Sequence, residues 1–514
     1  MHWIDLFIVI ISLVLALAVG LRFARRQRTT DTYFKAGGRI PSWAVGMSMF
    51  ATIISSVTFL AYPGSAYGGN WILLVQGLMV PLVLVAIIGF VIPLFRRVIH
   101  LSTYEYFELR FGSFARIYSS VAFIFNHLSR SGTILYLLGL AIATFFAEAD
   151  VRMIITVVGF VVIFMTFLGG MEAIVWMDVV QGVLLIVGGI ITIVMIFIGA
   201  EGDMLPMIAD AIKSDKIGFG PYDFDLCRLT FWVMAFNGIF YAVQMYGTDQ
   251  SMVQRYLTAS TDAKAKRATY LGIFLSIPTW ALFMFIGTSL YLFYTSGQGE
   301  LPSDISSDAV FPYFIATQMP VGVTGLVIAA LVAGAISSLD SDINCISAIV
   351  VQDFYKKLRP LANDRRQLRI GRMSAIVVGL LSVIIALVYV QSSSQGTLST
   401  LFALYAIFSA GIIGMFLLGI FSRRANWQGL YIGIAASVLF SAYAVLTTTH
   451  TANGNLLLDL GEYNFPHHQY MLGVYSHIIV LVVGYIASLF FPKQNINSRL
   501  LYRRKKEVNR HNRI

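Results

Sequence analysis

The chain has 514 residues, of which 57% are hydrophobic and only 12% charged, with a mean hydropathy of +0.76; no soluble class has that balance, so the protein is integral to a membrane and a cytosolic enzyme is excluded. The net charge of +10 would suggest nucleic acid if the basic residues shared one soluble surface, but they are sorted into particular loops and report orientation in a bilayer. The two cysteines, Cys227 and Cys345, cannot form a CxxC site, which sets aside a disulfide framework and a cysteine zinc centre together.

Taken in chain order, apolar runs able to cross about 30 Å of hydrocarbon lie at Trp3–Leu21, Trp43–Tyr67, Trp71–Phe95, Ile117–Phe145, Met153–Leu168, Ala173–Ile198 and Leu229–Tyr246. Six more follow at Tyr270–Tyr294, Val321–Val351, Met373–Val390, Leu398–Phe421, Leu430–Leu446 and Met471–Phe490. Thirteen crossings are expected, all helical, because a barrel strand needs only about ten alternating residues. The first run reads as an uncleaved anchor: its charges follow the apolar stretch and no A-x-A-like site ends it. Of the 36 Lys and Arg residues, 31 fall in 22–39, 96–116, 255–267, 356–372, 423–424 and the tail from Lys493. By the positive-inside rule the N-terminus is expected outside and the C-terminus in the cytoplasm, across the plasma (inner) membrane. The outer loops Glu201–Arg228 and Gly297–Pro320 leave no room for a fused soluble module. The basic tail is a topology signal, or else a contact for anionic lipid.

Two spans are polar for transmembrane helices. The second holds Gly46, Ser48, Thr52, Ser55, Ser56, Thr58, Pro63 and Gly64, and the seventh Asn237, Gly238, Gln244, Gly247, Thr248, Asp249 and Gln250. Counted from the second span they are first and sixth of ten, where a five-plus-five inverted repeat has its paired broken helices. Unwound backbone there offers carbonyls to a cation and N–H groups to a substrate; the alternative is that the small residues merely permit close packing. In the ninth span Gly334, Ser337, Ser341 and Asn344, with Asp340 beside them, recur at helical spacing and form one oxygen-lined face. Such hard ligands suit a hard cation rather than a transition metal. Asp178 and Asp340 lie within spans, where an ionised group costs roughly 3 kcal/mol or more, so each needs a partner. Arg130, mid-span, presents a planar fork suited to a carboxylate, whether a substrate's or that of Asp178 or Asp340. His127, a turn earlier, reads as a hydrogen-bonded helix residue rather than a proton relay.

Four stretches carry a family resemblance: Ala51-Thr-Ile-Ile54-Ser-Ser-Val-Thr58-Phe, Gly169-Gly-Met-Glu172-Ala-Ile-Val-Trp176-Met-Asp178-Val-Val-Gln181-Gly, Val253-Gln-Arg255-Tyr, and the segment around Ser337-Ser338. In this order, from about Asp31 to Arg424, the chain resembles the sodium:solute symporter family, the group of the sodium/glucose and proline symporters. The resemblance implies an all-α membrane fold like that of the leucine transporter, with one helix before the inverted repeat and two after it. The chain then divides into residues 1–42 (extra helix and basic loop), 43–200 (first repeat), 201–424 (second repeat), 425–492 (two C-terminal helices) and 493–514 (basic tail).

The same resemblance implies a main sodium site of the carbonyls of Ala51, Ile54 and Gly334 and the hydroxyls of Ser337 and Ser338. It implies a second site of Asp178, Ser337, Asp340 and Ser341. Family members commonly have Ser or Thr where this chain has Asp340, so the added carboxylate either strengthens the second site or pairs with Arg130. The family's bacterial sialic acid symporters also have an Arg in a His-x-x-Arg setting. That likeness implies substrate contacts at Ser55, Thr58, Arg130, Phe240 and Gln244, and at Gln76, one place from the family's glutamine. The implied function is import of a small carboxylate-bearing sugar such as sialic acid, coupled to Na+ by alternating access. Two sodium ions per substrate are expected, with a lipid surround, no nucleic acid, and a monomer as the working unit. A neutral sugar, inositol or a monocarboxylate are the alternative substrates, and a transport-inactive sensor is the alternative class. Neither HExxH nor GxSxG is apparent, so no enzyme is expected.

Overall fold

The computed structural model describes residues 2–24, 27–145, 150–200, 204–391, 411–450 and 454–502. Among these every regular element is a helix, and extended pairing is limited to isolated bridges, Ile40 with Ala259 and His450 with Leu456. The cause is the solvent: in hydrocarbon each backbone polar group must be satisfied within its own segment, as a helix does.

The chain opens with α1 (Trp3–Ala24), α2 (Thr30–Lys35), α3 (Ser42–Ile53), α4 (Ser56–Gly68) and α5 (Leu74–Val98). There follow α6 (Glu105–Phe111), α7 (Ser113–Ala143), α8 (Val151–Gly199), α9 (Met204–Lys213), α10 (Phe231–Gly247) and α11 (Gln250–Thr258). After α12 (Asp262–Thr295) and α13 (Ser307–Thr317), α14 (Val323–Ile349) runs into a π-helical turn, Val350–Tyr355. Next come α15 (Lys356–Leu358), α16 (Asp364–Gln391) and the helices Ile412–Phe421, Trp427–Leu446 and Gln469–Ser488.

Eight of these helices are long and apolar enough to cross a membrane, and the bent pair α3 and α4, inclined by 55°, makes a ninth. α8 has 49 residues and is interrupted at Gly170, so its two limbs cover the two spans expected from Met153 to Ile198. α7 has the length, at 31 residues, but polar side chains such as Asn126, His127 and Arg130 dilute its hydropathy. α10 and Ile412–Phe421 are short, at 17 and 10 residues. Of the expected span Leu398–Phe421, the part up to residue 410 lies outside the described residues. Short helices α9 and α13 occupy the loops 201–228 and 297–320, which hydropathy did not anticipate.

The packing is inside out relative to a soluble protein. Phe7, Val85, Phe160 and Phe274 are exposed on the periphery, whereas α14 is buried along almost its whole length. α14 packs against α1, α7, α8 and α16, and also meets α3, α4 and α11. Two glycines make such approaches possible. Gly170 has φ +58°, and a Cβ there would lie 2.8 Å from the Tyr33 carbonyl oxygen; a Cβ on Gly287 of α12 would lie 2.1 Å from that of Pro63 on α4. A side chain at either position would push the helices apart.

Three basic residues assigned to inner loops from the sequence are in fact buried: Arg110, Arg116 and Arg255. Arg110 donates to the carbonyls of Gly419, Ser422 and Ala425 at 3.1, 2.9 and 3.0 Å, satisfying the end of the helix Ile412–Phe421 and the turn that follows it. Arg116 donates from Nε to Asp353 at 2.9 Å and also reaches Glu108. These are internal ties, so the orientation signal rests on the remaining loop residues. On α6, burial works against the Glu108 charge, but hydrogen bonds from Lys357, Arg116 and Ser113 outweigh it and hold the carboxyl at about 2.

Candidate functional site

The first break separates α3 from α4. Ile54 and Ser55 take extended backbone, with φ/ψ of −87/108° and −115/178°. Ile54 N still donates to Phe50 O at 3.1 Å, but a helix end leaves its last carbonyls without the usual intrahelical donors. Thr52 O accepts instead from Ser338 Oγ of α14 at 3.4 Å and from Arg130 Nη2 of α7 at 3.2 Å. Ala51 is buried at this same helix end. Gly334 completes the approach: a Cβ there would lie 3.8 Å from Ile54 O. The oxygen face of α14 therefore abuts the carbonyl end of α3 at Gly334 and Ser338, while Ser337 turns its hydroxyl to Asp178 on α8.

The second break separates α10 from α11. Gln244 O accepts from both Thr248 N and Asp249 N at 2.9 Å, and the Asp249 carboxylate caps α11 by accepting from Ser251 N at 2.8 Å. The other carboxylate oxygen lies 3.1 Å from His127 Nε2, while His127 Nδ1 is 2.7 Å from Asp342 on α14. His127 thus links three elements, consistent with a hydrogen-bonded helix residue.

Arg130 Nη1 stands 3.7 Å from Asp342 Oδ1, an acidic neighbour other than the Asp178 and Asp340 that the sequence offered as the alternative to a substrate carboxylate. The reason is helical geometry: residues two apart are turned by about 200°, so Asp342 faces α7 while Asp340 faces α8. Arg130 keeps 26% of its side chain exposed, unlike the buried carboxylates around it.

Asp178 has a different partner. Arg255, from α11, donates to it at 3.0 Å, and Ser48 and Ser337 each donate at 2.5 Å. Arg255 also donates to Ser48 Oγ, Ser341 Oγ and Ser251 O at 2.8, 2.7 and 2.9 Å. Neither partner is more than 1% exposed. Of the expected second-site residues, Asp178 and Ser341 accept from this guanidinium, and Ser337 bonds to the Asp178 carboxylate. Asp340 stands to one side, accepting from Thr166 Oγ1 at 2.6 Å, and its Oδ2 has no hydrogen-bond partner among the described residues.

The remaining candidates are distributed around the breaks. Ser55 and Thr58 are buried at the start of α4. Gln76 on α5 accepts from Asn237 Nδ2 at 3.0 Å, and Phe240 stacks on His477 at 5.7 Å between centroids. Gln244 is half-buried on α10. Sequence reasoning had assigned no role to Ser48, Thr52, Thr166, Asp249, Arg255 or Asp342. Asp249 and Asp342 were visible as carboxylates inside polar stretches, and Arg255 stood in one of the stretches that carry the family resemblance; Thr166 gave no sign beyond its residue type.

Comparison with known proteins identifies the family. The model of the sodium:solute symporter family matches residues 33–436. The sodium/sialic acid symporter NanT of Aliivibrio fischeri is 34% identical over 94% of this chain and 92% of its own length. The sodium/sialic acid symporter SiaT of Proteus mirabilis is 31% identical over 94% of each chain. A solved substrate-bound, outward-open Na+-coupled sialic acid symporter superposes with a TM-score of 0.87 at 30% identity, covering 96% of this chain and all of that one. Mhp1, a nucleobase-cation-symport-1 transporter, shares the fold alone, with a TM-score of 0.53 at 13% identity, covering 91% of this chain and 96% of its own. With its two broken helices, its buried oxygen-lined α14 and a family match over most of its length, the chain belongs to the sodium:solute symporter family.

Proposed function

We propose that the chain imports a carboxylate-bearing sugar of the sialic acid class by alternating access, driven by sodium. The observation that carries this reading is the shared carbonyl: Thr52 O receives both Arg130 Nη2 and Ser338 Oγ. The group suited to a substrate carboxylate and a ligand of the expected main sodium site therefore meet at one unwound turn. Sodium drawn to the oxygens of Ala51, Ile54, Gly334, Ser337 and Ser338 would fix that turn, and with it the backbone beside Ser55, Thr58 and Arg130. Gln76, Phe240 and Gln244 would bound the sugar from α5 and α10. The relatives named as sodium/sialic acid symporters support the substrate class.

A second sodium at Asp178, Ser337, Asp340 and Ser341 would share Asp178 with Arg255, and Asp340 supplies a buried carboxylate oxygen to offset the added charge. Each ion moving inward gains about 2.3 kcal/mol per 100 mV, and a tenfold gradient adds about 1.4 kcal/mol. The charge distribution supports an outer N-terminus and a cytoplasmic C-terminus, with residues 43–200 and 201–424 as the two repeats. Calorimetric titration of the purified protein tests the reading: sialic acid binds in sodium and not in choline, and its amide binds far more weakly. Equal binding of acid and amide would point to a neutral substrate and a structural Arg130.

A further inference from the structure

The helices Ile412–Phe421 and Gln469–Ser488 pack side by side and end at the same level. Between their ends lies a groove of about 760 Å³, walled by Leu417, Phe421, Val482 and Ile486 and rimmed by Arg423 and Arg424. Phe421 and Ile486 are more than half exposed, so the wall faces the bilayer. Arg424 is already fixed: Nη2 donates to Leu489 O at 2.9 Å and Phe491 O at 2.8 Å. A guanidinium is suited to a phosphate, and Arg423 at the rim is exposed.

We infer that this groove binds one anionic phospholipid, its phosphate at Arg423 and Arg424 and an acyl chain along the apolar wall. Both halves of the site are needed to define the ligand. A free phosphate gains nothing from Leu417, Phe421, Val482 and Ile486, and a neutral chain gains nothing from two guanidinium groups at the membrane surface. The lipid would brace the helix Ile412–Phe421, which packs directly against α10.

The test uses the full chain in mixed micelles containing equal amounts of phosphatidylglycerol and phosphatidylcholine. Native mass spectrometry counts retained lipids, and thermal unfolding is followed in parallel. Wild type should retain phosphatidylglycerol preferentially and melt higher with it. Arg423→Gln should weaken that preference about fivefold, the worth of one basic side chain near the surface. Val482→Trp, which fills the groove without altering charge, should lower retention as well. Arg424 is left intact because it also holds two backbone carbonyls. Equal retention of the two lipids by wild type, a wild-type preference in either variant, or full stabilisation by inorganic phosphate alone would each overturn the proposal.

Discussion

Replacing Arg255 with Gln tests the internal electrostatics most severely. The guanidinium and Asp178 are 3.0 Å apart, and neither is more than 1% exposed. Removing one partner leaves an uncompensated charge in a medium that solvates it poorly, at a cost of about 3–5 kcal/mol. That is roughly a 150-fold to 5000-fold fall in the ratio of folded to unfolded protein. The hydrogen bonds to Ser48, Ser251 and Ser341 go with it, so the upper half of the range is expected. The double variant Asp178→Asn, Arg255→Gln removes both charges and should recover much of the loss, with a coupling above about 2 kcal/mol in the double-mutant cycle. Thermal unfolding of the detergent-solubilised variants, in sodium and in choline, provides the assay. Sodium should stabilise Arg255→Gln more than wild type, since an exchangeable cation then takes the place of the tethered one. Additive single effects, or an Arg255→Gln variant as stable as wild type, would refute the reasoning.

Three further outcomes follow from the same geometry. Arg130→Lys keeps the charge but loses the planar fork, and should weaken substrate binding by about 2–4 kcal/mol, about 30-fold to 1000-fold, in equilibrium titrations; an unchanged affinity would remove Arg130 from the substrate site. Ser337→Ala with Ser338→Ala should leave the helices assembled but abolish sodium-dependent binding, and an unaltered sodium half-saturation would show that the ion sits elsewhere. Glu108 is held at about 2 against an ordinary 4.5, so it contributes stability that is complete above about pH 4.5 and is lost as the pH falls toward 2. Glu108→Gln should therefore flatten the acid limb of the unfolding profile between about pH 4.5 and pH 2, and an acid limb as steep as that of wild type would contradict the assignment.

Much of the architecture was legible because the bilayer simplifies the code: long apolar runs must be helices. The breaks were legible too, since Ser55-Ser56 and Gly247-Thr248-Asp249 interrupt those runs with residues that favour caps and turns. The oxygen face of α14 followed from helical spacing alone. Pairing did not, because it depends on which helix faces which. Arg255 looked like one more loop charge beyond the span ending at Tyr246, and only the tertiary fold turns α11 inward so that the side chain meets Asp178. Asp342, two residues from Asp340, was overlooked although the turn of the helix aims it at α7, where His127 and Arg130 lie. Asp340 was expected to join Arg130 or the second ion site; its only hydrogen-bond partner among the described residues is Thr166, on the first limb of α8.

The central claim is that sodium bound at the α3–α14 contact drives inward movement of a sugar acid held by Arg130. Uptake of radiolabelled sialic acid into proteoliposomes, under an inward sodium gradient and a negative interior potential, tests it directly. The account predicts accumulation above equilibrium that collapses when choline replaces sodium, and that excess unlabelled acid suppresses far better than its amide. Accumulation of equal size without a sodium gradient, or equal competition by the amide, would contradict it.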